Sequence, residues 1–93
     1  MPLNIDAANA TNPKVGRMDI GDAIRELRRG LVVTRRGWNG RGTYIGLCEA
    51  GRNPYHPQTA EYVYFVLMAG DRVPWVASQT DLLATDWEIA TVR

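Results

Sequence analysis

From residue 18 the apolar positions of "MDIGDAIRELRRG" recur at helical spacing. Ile20, Ala23, Ile24 and Leu27 fall on one side and Asp22, Arg25, Glu26 and Arg29 on the other. An amphipathic helix is predicted, with Asp19 as its cap, Arg28 and Arg29 at its negative end and Gly30 as the left-handed stop. After it the period shortens. The β-branched run "LVVTR" from Leu31 predicts a strand, and "TYIGLC" from Thr43 predicts another. The strongest strand signal is "EYVYFVLMAG", with Val63, Phe65 and Leu67 on one face and Tyr62, Tyr64, Val66 and Met68 on the other. Both faces are apolar, so both are expected to be covered, one by the helix and one by a loop or a second subunit.

Gly70 and Asp71 predict a turn, after which "RVPWVA" returns as a short strand that Pro74 assigns to an edge or a bulge. In "SQTDLLATDWEIATV", Ser78 and Asp81 have the spacing of a capping box that opens a short helix through Leu83, and "DWEIATV" closes the sheet. The expected fold is α+β: a small antiparallel sheet with an N-terminal amphipathic helix and a short second helix, oligomeric. Residues 1–17 lack periodicity and read as a flexible N-terminal arm, leaving 18–93 as a single domain. The stretch "EAGRNPYHPQTA" carries two prolines and a glycine and reads as a loop.

Length sharpens the oligomer expectation. A 93-residue chain buries only somewhat more than ~60% of its unfolded surface, so self-association would enlarge a modest core. No apolar run nears the ~18 residues of a membrane span, and "MPLNIDAANATNPKVGR" does not resemble a secretory leader. With one cysteine, Cys48, the expected setting is the reducing cytoplasm. A net charge of +1 argues against a binder of nucleic acid polymers. Within that balance Arg28, Arg29, Arg35, Arg36 and Arg41 crowd into a segment without Asp or Glu, which suits either a small anion or plain solvated surface.

Catalytic pairs are hard to assemble. His56 lies in a Pro-flanked loop and Cys48 in an apolar strand, and both read as structural. Clustered metal ligands and a phosphate-binding glycine fingerprint at a strand-to-helix junction are missing, so neither metal nor cofactor is expected. Asp81, Asp86 and Glu88 lie close together, and capping, turn and solvent roles account for them.

What remains is binding chemistry. In "RRGWNGRG", Trp38 can stack on a base, Asn39 offers a donor and an acceptor, and Arg36 and Arg41 can fork onto phosphates. Equally, Asn39 and Gly40 can make a tight turn with Trp38 packed on the sheet. In "PWVASQTD", Ser78, Gln79, Thr80 and Asp81 put polar groups at a helix start beside Trp75, or simply cap that helix over a buried Trp75.

"GDAIRELRRGLVVTRRGWNGRGTYI" and "VPWVASQTDLLATDWEI", in that order over residues 18–93, resemble the Thoeris anti-defence sponge family of phages and prophages, second type. The resemblance implies a homotetrameric α+β nucleotide-binding domain. Its ligand would be a cyclic nucleotide immune signal, glycocyclic ADP-ribose made by TIR proteins, or in some members cyclic dinucleotides, held without cleavage. It carries over Trp38, Asn39, Gly40, Trp75, Ser78, Gln79, Thr80 and Asp81 as ligand-binding; Arg36, Arg41 and Tyr44 join them on charge and proximity. Two stretches depart from the pattern: the arm before residue 18 and the loop at 50–60. A nucleotide hydrolase, a structural phage component and a protein-binding accessory protein remain as alternatives.

Overall fold

The computed structural model describes residues 17–38 and 42–91; Asn39, Gly40, Arg41 and all of the expected arm except Arg17 lie outside the described residues. The first helix, α1, spans Ile20–Arg28. Asp19 accepts from the Asp22 amide at 2.9 Å and Asp22 accepts from the Asp19 amide at 3.0 Å, a reciprocal cap that satisfies two donors at the helix start. At the other end Gly30, at φ 89°, donates to Leu27 O, and Leu31 donates to Glu26 O. That closure engages the Leu31 backbone, so the strand predicted from Leu31 starts only at Val33.

Five strands form one antiparallel sheet: β1 (Val33–Arg35), β2 (Tyr44–Cys48), β3 (Tyr62–Val66), β4 (Arg72–Pro74) and β5 (Trp87–Ile89), in the order β4-β3-β2-β1-β5. β4, with Pro74, is an edge strand, where a missing donor costs no ladder bond. A short helix α2 (Gln79–Leu83) precedes β5. β3 stops earlier than its pattern predicts because Leu67 donates to Asp71 O at 2.8 Å and Gly70 to Leu67 O at 2.8 Å. Leu67 and Met68 thereby belong to the turn rather than to the strand.

Register assigns side chains to faces, since directly opposed residues share a side and neighbours alternate. Val33 pairs with Ile45 and Ile89, Arg35 with Trp87, Leu47 with Val63, and Phe65 with Ile45 and Val73. These nine occupy one face. α1 lies across β5, β1 and β2 on this side, and Ala23, Leu27, Val33, Ile45 and Trp87 form the buried core, each 0–2% exposed. Burying a ring as large as Trp87 removes roughly 150–250 Å² from water, which makes it the largest single contributor to this small core.

The opposite face carries Thr34, Tyr44, Gly46, Cys48, Tyr62, Tyr64, Val66 and Glu88, and among the described residues no helix crosses it. Of the two faces expected to be covered, α1 covers the first. Gly46 is needed on this side: a Cβ there would collide with the Tyr64 phenol, whose ring also receives the Arg72 guanidinium 4.4 Å from its centre. The aromatic ring fills the space that the glycine leaves open.

Candidate functional site

Trp87 is the hub around which the two motif segments meet. A 3-10 turn, Arg36–Trp38, follows β1 and lays the Trp38 ring edge-to-face on Trp87 (centroids 5.4 Å apart) and on Phe65 (5.3 Å). From the other segment Trp75 approaches Trp87 at 5.9 Å and 90°. The Trp87 indole Nε1 donates to Asp81 O at 3.2 Å, so the buried ring has its polar atom satisfied and α2 is tied to the hub. Both flanking tryptophans therefore take the packed alternative left open by the sequence, while each stays half-buried rather than enclosed.

An ion cluster lies beside the indoles. Arg35 Nε donates to Asp86 Oδ1 at 2.8 Å and its Nη1 to Asp81 Oδ1 at 2.8 Å. The other oxygen of Asp86 accepts from the Gly37 amide at 2.7 Å, and that of Asp81 from the Ser78 amide at 3.1 Å. The Arg35 hydrogen bond is the foremost reason that the Asp86 carboxyl is held below the usual carboxylate range; burial opposes it and the Gly37 amide assists. For Asp81 burial is the largest influence and favours the neutral acid. Arg35 and the Ser78 amide and hydroxyl together outweigh it and keep the pKa low. Arg35 itself is pushed upward, chiefly by Asp86, with burial opposing and Asp81 adding to the rise. All three groups are thus charged across the neutral range, in short, directional contacts.

Ser78 accepts from the Asp81 amide at 3.1 Å, completing the expected capping box, and its hydroxyl lies 2.8 Å from that of Thr80. Ser78, Gln79 and Thr80 are exposed whereas Asp81 is buried. The segment thus presents three polar side chains outward and turns the fourth inward to Arg35.

Tyr44 and Arg36 stand elsewhere. Tyr44 lines an open groove of about 510 Å³ on the face opposite α1, together with Thr34, Thr43, Val66, Met68 and Glu88, and Arg36 Nε is 3.7 Å from Glu88 Oε1. The described candidates around the first motif are split: Trp38 faces the hub, Tyr44 lines the groove, and Arg36 reaches Glu88 at the groove's edge. The arginine-rich segment is also largely matched with carboxylates, Arg28 with Glu61 at 3.0 Å and Arg29 with Glu26 at 2.8 Å.

Sequence reasoning missed Arg35 as an organiser and Trp87 as the hub. One signal was available for Trp87: it shares the alternation of "DWEI", whose inward positions follow once β5 is placed against β1. Of the nearby carboxylates, Asp81 and Asp86 converge on Arg35 while Glu88 points to the opposite face. His56 is exposed in its loop and Cys48 lies on β2.

Comparison with known proteins identifies the family of the chain. A family model described as Thoeris anti-defense 2-like domain matches residues 18–90, which contain every strand and helix described above. A protein named Thoeris anti-defense 2, from Bacillus phage SP01, is 33% identical over 86 residues, covering 81% of this chain and 97% of its own length. With the match running from the cap of α1 through β5, this chain belongs to the Thoeris anti-defense 2-like family, a family of phage anti-defence proteins.

Proposed function

We propose that the protein binds and holds a cyclic nucleotide immune signal, glycocyclic ADP-ribose, in the host cytoplasm and keeps it from its effector without cleaving it. The observation that carries this reading is the family match across the whole folded core. The geometry supports it: two segments rich in indole, amide and hydroxyl groups are brought together on Trp87. Trp38 and Trp75 offer their uncovered portions to a base, and Ser78, Gln79 and Thr80 offer donors and acceptors to ribose and phosphate, with Asn39, Gly40 and Arg41 continuing the first segment. Sequestration demands affinity rather than turnover, so preorganised stacking and hydrogen bonding suffice.

Self-association as a homotetramer is part of the same proposal. Val76 is 87% exposed, Leu83 79% and Met68 68%, and among the described residues no helix lies on the tyrosine-bearing face. Apolar surface of this kind suits a contact between copies. Tyr44, Arg36 and the 510 Å³ groove then become available to a ligand shared by subunits, including a cyclic dinucleotide.

The test is capture and release. Protein mixed with glycocyclic ADP-ribose, freed of unbound ligand and then heated should liberate the intact molecule, identified by mass spectrometry and by its ability to activate the effector. Degraded ligand would indicate a hydrolase, and no captured ligand would favour a structural or protein-binding accessory role.

A further inference from the structure

Ion pairs that are only partly buried are weak devices for stability, because desolvation offsets much of the attraction. The cluster on Arg35 is nonetheless built with unusual economy of parts. One guanidinium, 18% exposed, serves two carboxylates that are 12% and 25% exposed, and each carboxylate holds a backbone amide of a different motif segment with its second oxygen. Asp86 thereby fixes the turn that carries Trp38, and Asp81 fixes the segment that carries Ser78, Gln79 and Thr80. Without the guanidinium between them the two carboxylates would repel each other, and the segments they hold would be driven apart.

The fit leaves little slack. A Cβ added at Gly37 would stand 2.9 Å from Asp86 Oδ2 and 3.3 Å from Arg35 Nη2, so the turn can approach the cluster this closely only with glycine at that position. A planar fork can address two carboxylates at fixed angles, whereas a lysine ammonium is a single point charge on a flexible stem.

We infer that Arg35 is the positioning residue of the binding site: through Asp86 and Asp81 it locks the Trp38 turn and the Ser78–Asp81 segment into one preformed recognition surface. This rests on the reading that these two segments hold the nucleotide. Arg35 makes no ligand contact in this scheme; it sets the spacing between groups that do, and so lowers the ordering cost of binding.

Arg35→Lys and Gly37→Ala separate this role from simple stabilisation. Without ligand, amide exchange of Gly37 and Ser78 should quicken at least tenfold in Arg35→Lys while the Ala23 and Leu27 amides of α1 keep wild-type protection. Well below the melting temperature, affinity for glycocyclic ADP-ribose should fall at least tenfold in both variants. In a Trp38→Phe background the same Arg35→Lys change should cost less than threefold, because its effect runs partly through the placement of that ring. Unchanged exchange at Gly37 and Ser78 would overturn the inference, as would loosened amides with unchanged affinity, or an equal loss in the two backgrounds. If the wild-type protein captures no glycocyclic ADP-ribose, the sequestration reading fails, and the exchange measurement alone decides whether Arg35 couples the two segments.

Discussion

Two irregular segments interrupt the sheet, one after β1 and one between β2 and β3, and they are held in opposite ways. The described part of the first, Arg36–Trp38 with Gly42 and Thr43, is anchored from afar. Asp86 accepts the Gly37 amide, Trp38 packs on Phe65 and Trp87, and Thr34 Oγ1 donates to Thr43 O at 2.7 Å to close the base. The second, residues 49–61, largely holds itself. Asn53 Oδ1 accepts from the amides of Tyr55 and His56, Thr59 donates to His56 O, and Gly51 donates to Thr59 O. Its side-chain link to the sheet is Asn53 Nδ2 to Tyr62 Oη at 3.3 Å, and Glu61 at its end pairs with Arg28 in solvent. A loop anchored by the core moves only if the core moves; a loop closed on itself can vary in sequence without the sheet noticing.

The largest predicted effect strikes the first segment's anchor. Trp87→Ala should cost about 3–5 kcal/mol, the range for deleting a buried indole, and should release Trp38 and Trp75 together. Chemical denaturation measures the loss, and nucleotide affinity should collapse with it. Arg35→Ala comes next at about 2 kcal/mol, below the range for a fully buried pair because the cluster keeps some contact with solvent.

The comparison also has a pH signature. Asp81 and Asp86 have depressed folded-state pKa values, so their contribution to stability is fully present above the ordinary carboxylate value of about 4 and is lost as pH falls through the lower folded values. Asp86→Asn should flatten the acid limb of the unfolding curve and leave the neutral plateau lower. An unchanged acid limb would mean that the cluster is not what ties the first segment down. In the second loop Asn53→Ala should cost about 1 kcal/mol or less and leave nucleotide affinity unchanged by calorimetry. Glu61→Gln, in the exposed pair with Arg28, should produce no measurable change in Tm.

The sequence made the local devices legible and left the distant ones hidden. Asp19, the 20-23-24-27 spacing and Gly30 announced α1 because caps and helical period act within a few residues, and the Ser78–Asp81 box announced α2 for the same reason. Strand order, and the face to which each tyrosine points, depend on pairings between distant segments. The ion cluster shows the limit well: Arg35 meets partners 46 and 51 residues away, and nothing local marks that arginine apart from Arg36 beside it. Its segment suits either a small anion or solvent when read alone, because its carboxylate partners lie outside the segment. Trp38 and Trp75 stand out in the sequence as indoles among polar residues, whereas Trp87, which joins them, sits in the short alternating strand "DWEI", where an inward aromatic is ordinary.

All three tryptophans of the chain belong to one contiguous cluster of edges and faces, Trp38 and Trp75 each packed on Trp87 with centroids 5.4 and 5.9 Å from it. Indoles this close exchange excitation faster than they emit. Fluorescence excited where only indole absorbs should therefore report on the three rings jointly rather than one by one. With no tryptophan elsewhere to dilute it, a change in that emission is a direct optical readout of one junction of the fold.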